Sequence, residues 1–319
     1  MAWTRMLYVT DLHGSETCFR KFLNSAKAYG VPYLISGGDV TGKAIIPIVR
    51  EGASFWRCNY LSSELRMSSE QEVASTVKTI AGSGFYPLVM SRDEYETVTK
   101  ERAETLFHEL IQERLRQWLT LAAERLLPQG VKGFIMPGND DLPLVDEVLN
   151  SAEPDSSGLE NSDGKLVRVG DFEMVSIGYA NITPWKCPRD ITEEELAQRI
   201  DQAVSHVEDF RRCIFNFHCP PFDSQLDLAP DLDAELRPKL LSGGEMKMAP
   251  AGSTAVREAI EKYQPLLALH GHIHESRGAS KIGKTVCINP GSEYQTGVLR
   301  GVMVSLGPRG QVEWALTTA

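Results

Sequence analysis

The sequence predicts an α/β fold, and three features of the chain support this class. Residues 5–39 alternate strand, helix and strand. Short apolar runs that end in Asp, Asn or His recur along the rest of the chain. Residues 284–319 contain only short strand-like runs separated by glycine turns. A chain that mixes strands and helices in this way is typical of a sheet covered by helices.

The first unit of the chain reads as β–α–β. "RMLYVTD" (5–11) is a short apolar run that ends in an acid, and "VPYLISGGD" (31–39) repeats that pattern. Between them, residues 15–30 predict a helix, because Ser15 can cap its start and Gly30 suits its end. The two strands should therefore be parallel, with a right-handed crossover.

Residues 43–131 follow a different pattern, which is mainly helical. "GKAIIPIV" predicts a strand or an edge hairpin, and two capping boxes, Ser69 with Glu72 and Ser91 with Glu94, each predict a helix start. The long charged helix after Ser91 has an apolar side. It is interpreted either as a solvated face over the core or as a lid or dimer element.

The rest of the chain alternates again between strands and helices. The predicted order is a strand and turn at 132–141, a short helix at 142–150, a hairpin at 165–185 and a helix at 192–210. A strand at 212–221, a polar loop at 220–252, a helix at 253–263 and a strand at 265–274 follow. A Gly-Asp pair at 170–171 is expected to form the hairpin turn.

Composition narrows the class of protein. The chain has 319 residues, 42% hydrophobic and 24% charged, which is an ordinary globular balance. A net charge of −10 and the lack of a basic run argue against a binder of long nucleic acid or acidic membranes. The N-terminal stretch resembles neither a signal peptide nor a membrane span, so we expect a cytoplasmic protein. The six cysteines of the chain are scattered along it, and we interpret them as reduced thiols.

Metal-compatible side chains follow five of the predicted strands. They are Asp11, His13, Asp39, Asn139, His218, His272 and His274. Open α/β sheets place their sites at the carboxyl ends of strands. Residues two apart in an extended backbone point to the same side, so Asp11 with His13, and His272 with His274, could each direct two ligands into one pocket. His270 is interpreted as a structural residue, an outer partner of the site or a substrate contact.

Charge counting favours two ions. Two divalent cations bring four positive charges, and Asp11 and Asp39 cancel two, which leaves charge for a bridging hydroxide and a phosphoryl group. Two ions about 3.5–4 Å apart would activate that water and hold the phosphate oxygens. Taken singly, each residue could equally be a helix cap, a turn residue or a hydrogen-bonded histidine. As a set at strand ends, they favour a metal site.

The segments "DLHG", "GGD", "GND", His218 and "GHIH" resemble, in order, the signature blocks of the calcineurin-like metallophosphoesterases, and most closely their compact bacterial and archaeal branch. The resemblance implies a four-layer αββα sandwich of two mixed sheets in one domain over residues 1–319. It also implies that Asp11, His13, Asp39 and His274 hold one ion, while Asp39, Asn139, His218 and His272 hold the other. The mixed oxygen and nitrogen ligands suit Mn, Fe, Zn or Co.

Two departures from the family pattern stand out. Asp39 and Asn139 are 100 residues apart, which indicates that residues 43–131 form an inserted helical cap. Many relatives have His directly after the Asn, and here it is Asp140. That His can protonate the leaving group, whereas an ionised Asp repels phosphate unless it is protonated or turned away. Asp140 is the candidate catalytic residue, and substrates with good leaving groups should suffer least from the change.

These observations predict a dinuclear metal-dependent phosphoesterase. It would hydrolyse a small phosphodiester or nucleotide through a metal-bridging hydroxide, with no long nucleic acid and no membrane as partner. The cap helices could make a homo-oligomer. Two alternatives remain: a catalytically weak scaffold of this fold that binds a protein partner, and a structural protein with a single metal.

Overall fold

The computed structural model describes residues 3–52 and 54–319. Within them the strands are, in chain order, β1 (Thr4–Val9), β2 (Tyr33–Gly37), β3 (Ile45–Arg50), β4 (Trp56–Tyr60), β5 (Ser63–Met67), β6 (Tyr86–Ser91), β7 (Lys132–Met136), β8 (Leu159–Asn161), β9 (Leu166–Val169), β10 (Phe172–Ile177), β11 (Ala180–Asn181), β12 (Asp190–Ile191), β13 (Cys213–Phe217), β14 (Leu228–Pro230), β15 (Met248–Pro250), β16 (Leu267–Leu269), β17 (Gly278–Ile282), β18 (Thr285–Asn289), β19 (Arg300–Leu306) and β20 (Val312–Thr318). The helices are α1 (Glu16–Tyr29), α2 (Glu70–Gly82), α3 (Arg92–Thr97), α4 (Lys100–Leu126), α5 (Leu144–Asn150), α6 (Pro154–Ser157), α7 (Glu193–Val204) and α8 (Thr254–Tyr263).

Two six-stranded mixed sheets form the centre of the molecule. The first has the strand order β20-β19-β1-β2-β7-β8, and the second has the order β17-β18-β16-β13-β10-β9. In the first sheet β1, β2, β7 and β8 are parallel, β19 runs antiparallel to β1, and the edge strand β20 runs antiparallel to β19. In the second, β10, β13, β16 and β18 are parallel between two antiparallel edge strands. The carboxyl ends of four parallel strands thus lie together in each sheet.

The two sheets pack face to face through a buried apolar layer. Met6, Tyr8 and Phe134 of the first sheet belong to the same buried cluster as Ile214 and Leu269 of the second. Helices cover the two outer faces, with α1, α4 and α5 on the first sheet and α7 and α8 on the second. This arrangement confirms the predicted four-layer αββα sandwich.

The first β–α–β unit forms as the sequence predicts. Ser15 caps α1 by accepting a hydrogen bond from the backbone N–H of Cys18 at 3.2 Å. Gly30 ends the helix with a φ of 59°, a left-handed conformation that glycine adopts at little cost. β1 and β2 then pair in parallel.

Residues 43–131 contain more strand than the sequence analysis predicted. β3–β6 form a separate four-stranded sheet in the order β5-β4-β3-β6, and α2 packs on it around a small core that includes Trp56 and Ile80. The second half of α4 lies instead on the main body, where the ring of Trp118 stacks on Phe19 at 3.9 Å between centroids. The segment is therefore not purely helical, and its role as a cap stays a prediction.

None of the helices in the described part of the chain combines the length and apolar character needed to cross a bilayer.

Candidate metal centre and its cavity

The structure brings together all seven residues that the sequence analysis nominated as metal ligands. They follow the carboxyl ends of β1, β2 and β7 in the first sheet and of β13 and β16 in the second. The turns after β1 and β2 are held side by side, because the backbone N–H of Asp11 donates to Gly38 O at 3.0 Å and that of His13 to Asp39 O at 2.8 Å. Parallel strands that end at one edge thus supply the whole site.

The backbone reason that the sequence analysis gave for this convergence is wrong. Asp11, His13, Asp39 and His272 have φ values of 54°, 42°, 50° and 67°. These residues therefore sit in tight left-handed turns and not in extended strand. Such a conformation costs a non-glycine residue about 1–3 kcal/mol and is concentrated at functional sites. The ligands face one pocket because the turns aim them there.

Gly38 shows how closely these turns are packed. Its φ is 110°, a backbone conformation that residues other than glycine rarely adopt. A Cβ at this position would lie 2.5 Å from Nδ1 of His218. Only glycine therefore lets β2 end beside the His218 ring.

The first group of candidate ligands contains Asp11, His13 and His274, whose ligand atoms all lie within 4.8 Å of one another. Nε2 of His274 is 3.3 Å from Oδ1 of Asp11. Nε2 of His13 is 3.9 Å from the same oxygen and 3.2 Å from Nε2 of His274. Two imidazole nitrogens and a carboxylate oxygen thus point at one small space.

The second group contains Asp39, His218 and His272, again within 4.8 Å of one another. Oδ1 of Asn139 joins it, at 3.1 Å from Nε2 of His218 and 2.9 Å from Nδ1 of His272. Oδ2 of Asp39 is 3.4 Å from Nε2 of His218 and 3.5 Å from Nε2 of His13. Asp39 therefore lies between the two groups, where a bridging carboxylate would have to be.

Outer hydrogen bonds fix the direction of several of these side chains. Gly37 O lies 2.8 Å from Nδ1 of His218 and orients that ring so that Nε2 faces the site. Asp190 accepts a hydrogen bond from Nδ2 of Asn139 at 2.8 Å, which turns Oδ1 of the amide inward. Such outer partners orient metal ligands and tune their affinity. The sequence contained no signal for Asp190, which lies 51 residues from Asn139.

The donor set fits divalent metal ions. Its imidazole, carboxylate and amide groups are those that Mn, Fe, Zn and Co accept. Two ring nitrogens face the single oxygen of Asn139. Buried polar atoms are normally satisfied, so this crowding of lone pairs is accounted for by cations among them.

The electrostatics of the site favour neutral rings at His13 and His272, an anionic Asp11 and a protonated ring at His218. Burial lowers the pKa of His13 to about 3 and that of His272 to about 4, so both rings stay neutral. Burial opposes ionisation of Asp11, but the neighbouring rings of His274 and His218 outweigh it and lower the pKa of this carboxyl. For His218 burial works against the charge, but Asp39 overcomes it and raises the pKa to about 9.

The carboxylate of Asp140 is paired with a lysine beside the site. Its Oδ2 is 2.8 Å from Nζ of Lys43 and 3.9 Å from Nδ1 of His13, and its backbone N–H donates to Oδ1 of Asp39 at 3.0 Å. Burial disfavours the charge of Lys43, but Asp140 and Asp39 raise its pKa, so the ammonium persists. The sequence analysis missed Lys43, although a lone basic residue four positions after Asp39 was a usable signal.

A cavity of about 670 Å³ opens above the site, and its floor is lined by His13, Asp39, Lys43, Asn139, Asp140, His272 and His274. Its walls come from residues 181–187 and from the arm formed by residues 228–250, which the sequence analysis had read as a polar loop. Of the described residues in the segment 43–131, Lys43 is the one that lines the cavity. His270 lies outside this cavity lining, fully buried, with Nδ1 2.8 Å from Phe217 O.

Comparison with known proteins yields a limited set of likenesses. No family model matches the sequence. An uncharacterised protein of Methanocaldococcus jannaschii is 31% identical over 157 residues, which is 49% of this chain and 62% of that protein. The match thus spans less than two thirds of the relative.

Solved structures align over almost the whole chain. The alignment with one crystal structure spans 98% of this chain and 99% of that chain, with a TM-score of 0.55 and 15% identity. The alignment with a structure described as a novel archaeal phosphodiesterase spans 98% of this chain and 99% of that one, with a TM-score of 0.32 and 10% identity. The first likeness agrees with the two-sheet architecture described above. The chain therefore shares its overall fold with that crystal structure.

Proposed function

We propose that the chain is a dinuclear metal-dependent phosphoesterase that hydrolyses a small phosphodiester or nucleotide. The observation that carries the proposal is the pair of adjacent, largely buried ligand groups that meet at Asp39, at the floor of an open cavity. One buried site with this donor set would suffice for structure. Two adjacent ones beside a cavity match the requirement of phosphoester hydrolysis.

Each residue has a defined task in this proposal. Asp11, His13, Asp39 and His274 would hold one ion, and Asp39, Asn139, His218 and His272 the other. Bound divalent ions supply a water of lowered pKa and positive charge for the phosphoryl oxygens. The protein keeps the ligands fixed through the bonds of Asn139 to Asp190 and of His218 to Gly37.

Lys43 and Asp140 act as a pair in the same proposal. Paired at 2.8 Å, the Asp140 carboxylate is neutralised and no longer repels an anion. Lys43 lines the cavity with its side chain half exposed, so its ammonium can reach a phosphoryl oxygen. Asp140 is thereby a positioning residue for Lys43, and Lys43 is the residue that contacts substrate.

Variants of Lys43 test this pair. Lys43→Gln should weaken the binding of inorganic phosphate to the metal-loaded protein about 10- to 100-fold, because a hydrogen bond to a charged group contributes about 1.5–3 kcal/mol. Lys43→Arg keeps the charge and should lose less. Unchanged phosphate affinity in Lys43→Gln would show that Lys43 does not contact the phosphoryl group.

The function itself is tested by hydrolysis of bis-p-nitrophenyl phosphate with Mn²⁺, Zn²⁺, Co²⁺ or Fe²⁺. Asp39→Ala should reduce the rate to background and lower the metal content below the two ions per chain expected of the wild type. Asp171→Ala, which changes an exposed acid in the β9–β10 turn, is the matched control and should keep both. Activity that is absent with every metal, or equal in Asp39→Ala, would favour the protein-binding scaffold. One ion per chain would favour the structural single-metal protein.

A further inference from the structure

The cavity above the candidate metal centre has two apolar walls, and they bear on the kind of ester that fits. We infer that the substrate is a phosphoester whose organic group is a flat aromatic ring system of nucleobase size, stacked on Trp185. This inference rests on the proposed function, because the phosphoryl group must sit at the metal centre for its organic group to reach these walls.

Trp185 and Ile182 form the apolar part of the first wall. They are 62% and 61% exposed, although both side chains are large and apolar. Exposed side chains of this kind that line a cavity beside a polar floor are typical of a ligand site. Pro184 lies next to them and limits the freedom of the turn.

The turn that carries Trp185 is tied directly to the metal centre. Oδ2 of Asp190 accepts hydrogen bonds from the backbone N–H of Thr183 at 3.0 Å, from its hydroxyl at 2.5 Å and from the N–H of Cys187 at 2.9 Å. Oδ1 of the same carboxylate accepts from Asn139 at 2.8 Å. One side chain therefore holds both a candidate metal ligand and the two ends of the turn, so the backbone of the turn that carries Trp185 is anchored to the candidate metal centre.

The second wall is the arm of residues 228–250. β14 and β15 pair antiparallel within it, and Pro230, Leu232, Leu236 and Pro238 line the cavity. Its charges are largely paired among themselves: Asp231 accepts from Lys239 and from Lys247, both at 2.7 Å. The arm thus presents apolar surface to the cavity and little positive charge.

The distribution of polar and apolar groups separates the two parts of a substrate. The floor offers His, Asp, Asn and Lys43, which suit a phosphoryl group, whereas the walls offer Trp, Ile, Leu and Pro. The face of an indole stacks on flat rings, and nucleobases stack on aromatic side chains in the same way. Asp231 and Glu275 line the cavity as well, and the chain carries a net charge of −10. A long polyanion is disfavoured, and a single nucleoside-sized group is left.

Two esters with the same leaving group test the inference. Thymidine 5′-(p-nitrophenyl phosphate) and p-nitrophenyl methyl phosphate both release p-nitrophenolate and differ in the group that stays on phosphorus. The wild type should prefer the thymidine ester. Trp185→Ala should reduce kcat/KM for that ester about tenfold or more, mainly through KM, and change the methyl ester less than about twofold. Trp185→Phe keeps a ring and should retain most of the preference.

Trp314→Ala is the matched control, because Trp314 is also exposed but lies in the edge strand β20 outside the cavity lining. It should leave both esters unchanged. An equal loss for both esters in Trp185→Ala, or no loss for either, would overturn the inference.

Calorimetry separates this inference from the proposed function. Thymidine 5′-monophosphate should bind the Mn²⁺-loaded protein more tightly than inorganic phosphate, and Trp185→Ala should abolish the difference. If the wild type hydrolyses neither ester, the proposed function fails, and calorimetry alone decides the inference. Equal affinities of the two ligands in the wild type would overturn it.

Discussion

Asp190→Asn is the change that probes the metal centre most selectively. The two oxygens of Asp190 have separate tasks: Oδ2 accepts three hydrogen bonds from residues 183 and 187, and Oδ1 accepts one from Nδ2 of Asn139. An asparagine whose oxygen takes the Oδ2 position keeps the three bonds of the turn. Its NH₂ group then faces the NH₂ group of Asn139, so the 2.8 Å bond is lost and two donors oppose each other.

The magnitude follows from this one bond. A hydrogen bond to a charged group contributes about 1.5–3 kcal/mol. Since 1.4 kcal/mol is about tenfold in affinity, the orientation of Asn139 should be worth about 10- to 100-fold in metal affinity, the range seen for outer partners of metal ligands. The loss should fall on one of the two ions, because Asn139 contacts the His218 and His272 group and not the His13 and His274 group.

The assay is a calorimetric titration of metal-free protein with Mn²⁺, in wild type and variant. We expect two binding events in the wild type and one of them weakened in Asp190→Asn. The double variant Asn139→Asp with Asp190→Asn restores a donor opposite an acceptor and should recover much of the affinity. Equal weakening of both events, or none, would refute the assignment of Asn139 and Asp190 to one ion.

Three further predictions follow from single observations. Asp140→His, which restores the residue common in relatives, should extend hydrolysis to esters with poorer leaving groups, and an unchanged preference in a panel of substituted phenyl esters would count against the leaving-group hypothesis. Trp118→Ala should lower the free energy of unfolding in urea by about 3–5 kcal/mol, because the ring is buried and stacks on Phe19 at 3.9 Å. Replacing the exposed Trp314 by Ala should lower the free energy of unfolding far less, and similar losses in the two variants would show that α4 is not part of the main core. Burial, followed by the charges of Asp140 and Asp190, raises the pKa of Cys187 to about 12. Iodoacetamide should therefore label this thiol slowly at pH 8 and faster as the pH rises towards that value, and labelling in peptide maps at the rate of a free thiol would contradict the burial of Cys187 beside those carboxylates.

The ligands could be predicted from the sequence because they follow strand ends. An apolar run followed by Asp, Asn or His marks both the strand and the residue that leaves it, and parallel strands bring those ends together. Asp11, Asp39 and His218 were accessible to this reasoning. The turns that orient them were not, because a positive φ at a non-glycine residue such as Asp39 is imposed by the surrounding hydrogen bonds and leaves no mark in the sequence.

Other parts of the site depend on contacts between distant segments. Asp190 lies in a two-residue strand, too short to give a pattern, and its role appears only once Asn139 is beside it. The arm of residues 228–250 has the proline and glycine content of a loop, and its two short strands are stabilised by pairing with each other. The four strands within 43–131 are as long as β1 and β2, but a strand such as β5 is mostly exposed and has no apolar run, so the neighbouring helices dominated the prediction. The cytoplasmic location, the metal and the oligomeric state stay predictions.

The central claim is that two metal ions bind side by side across Asp39. Anomalous diffraction from a crystal grown with Mn²⁺ tests it most directly. The account predicts two peaks about 3.5–4 Å apart, one among Asp11, His13 and His274 and the other among Asp39, His218 and His272. A single peak, or ions bound elsewhere with these side chains turned away from each other, would contradict it.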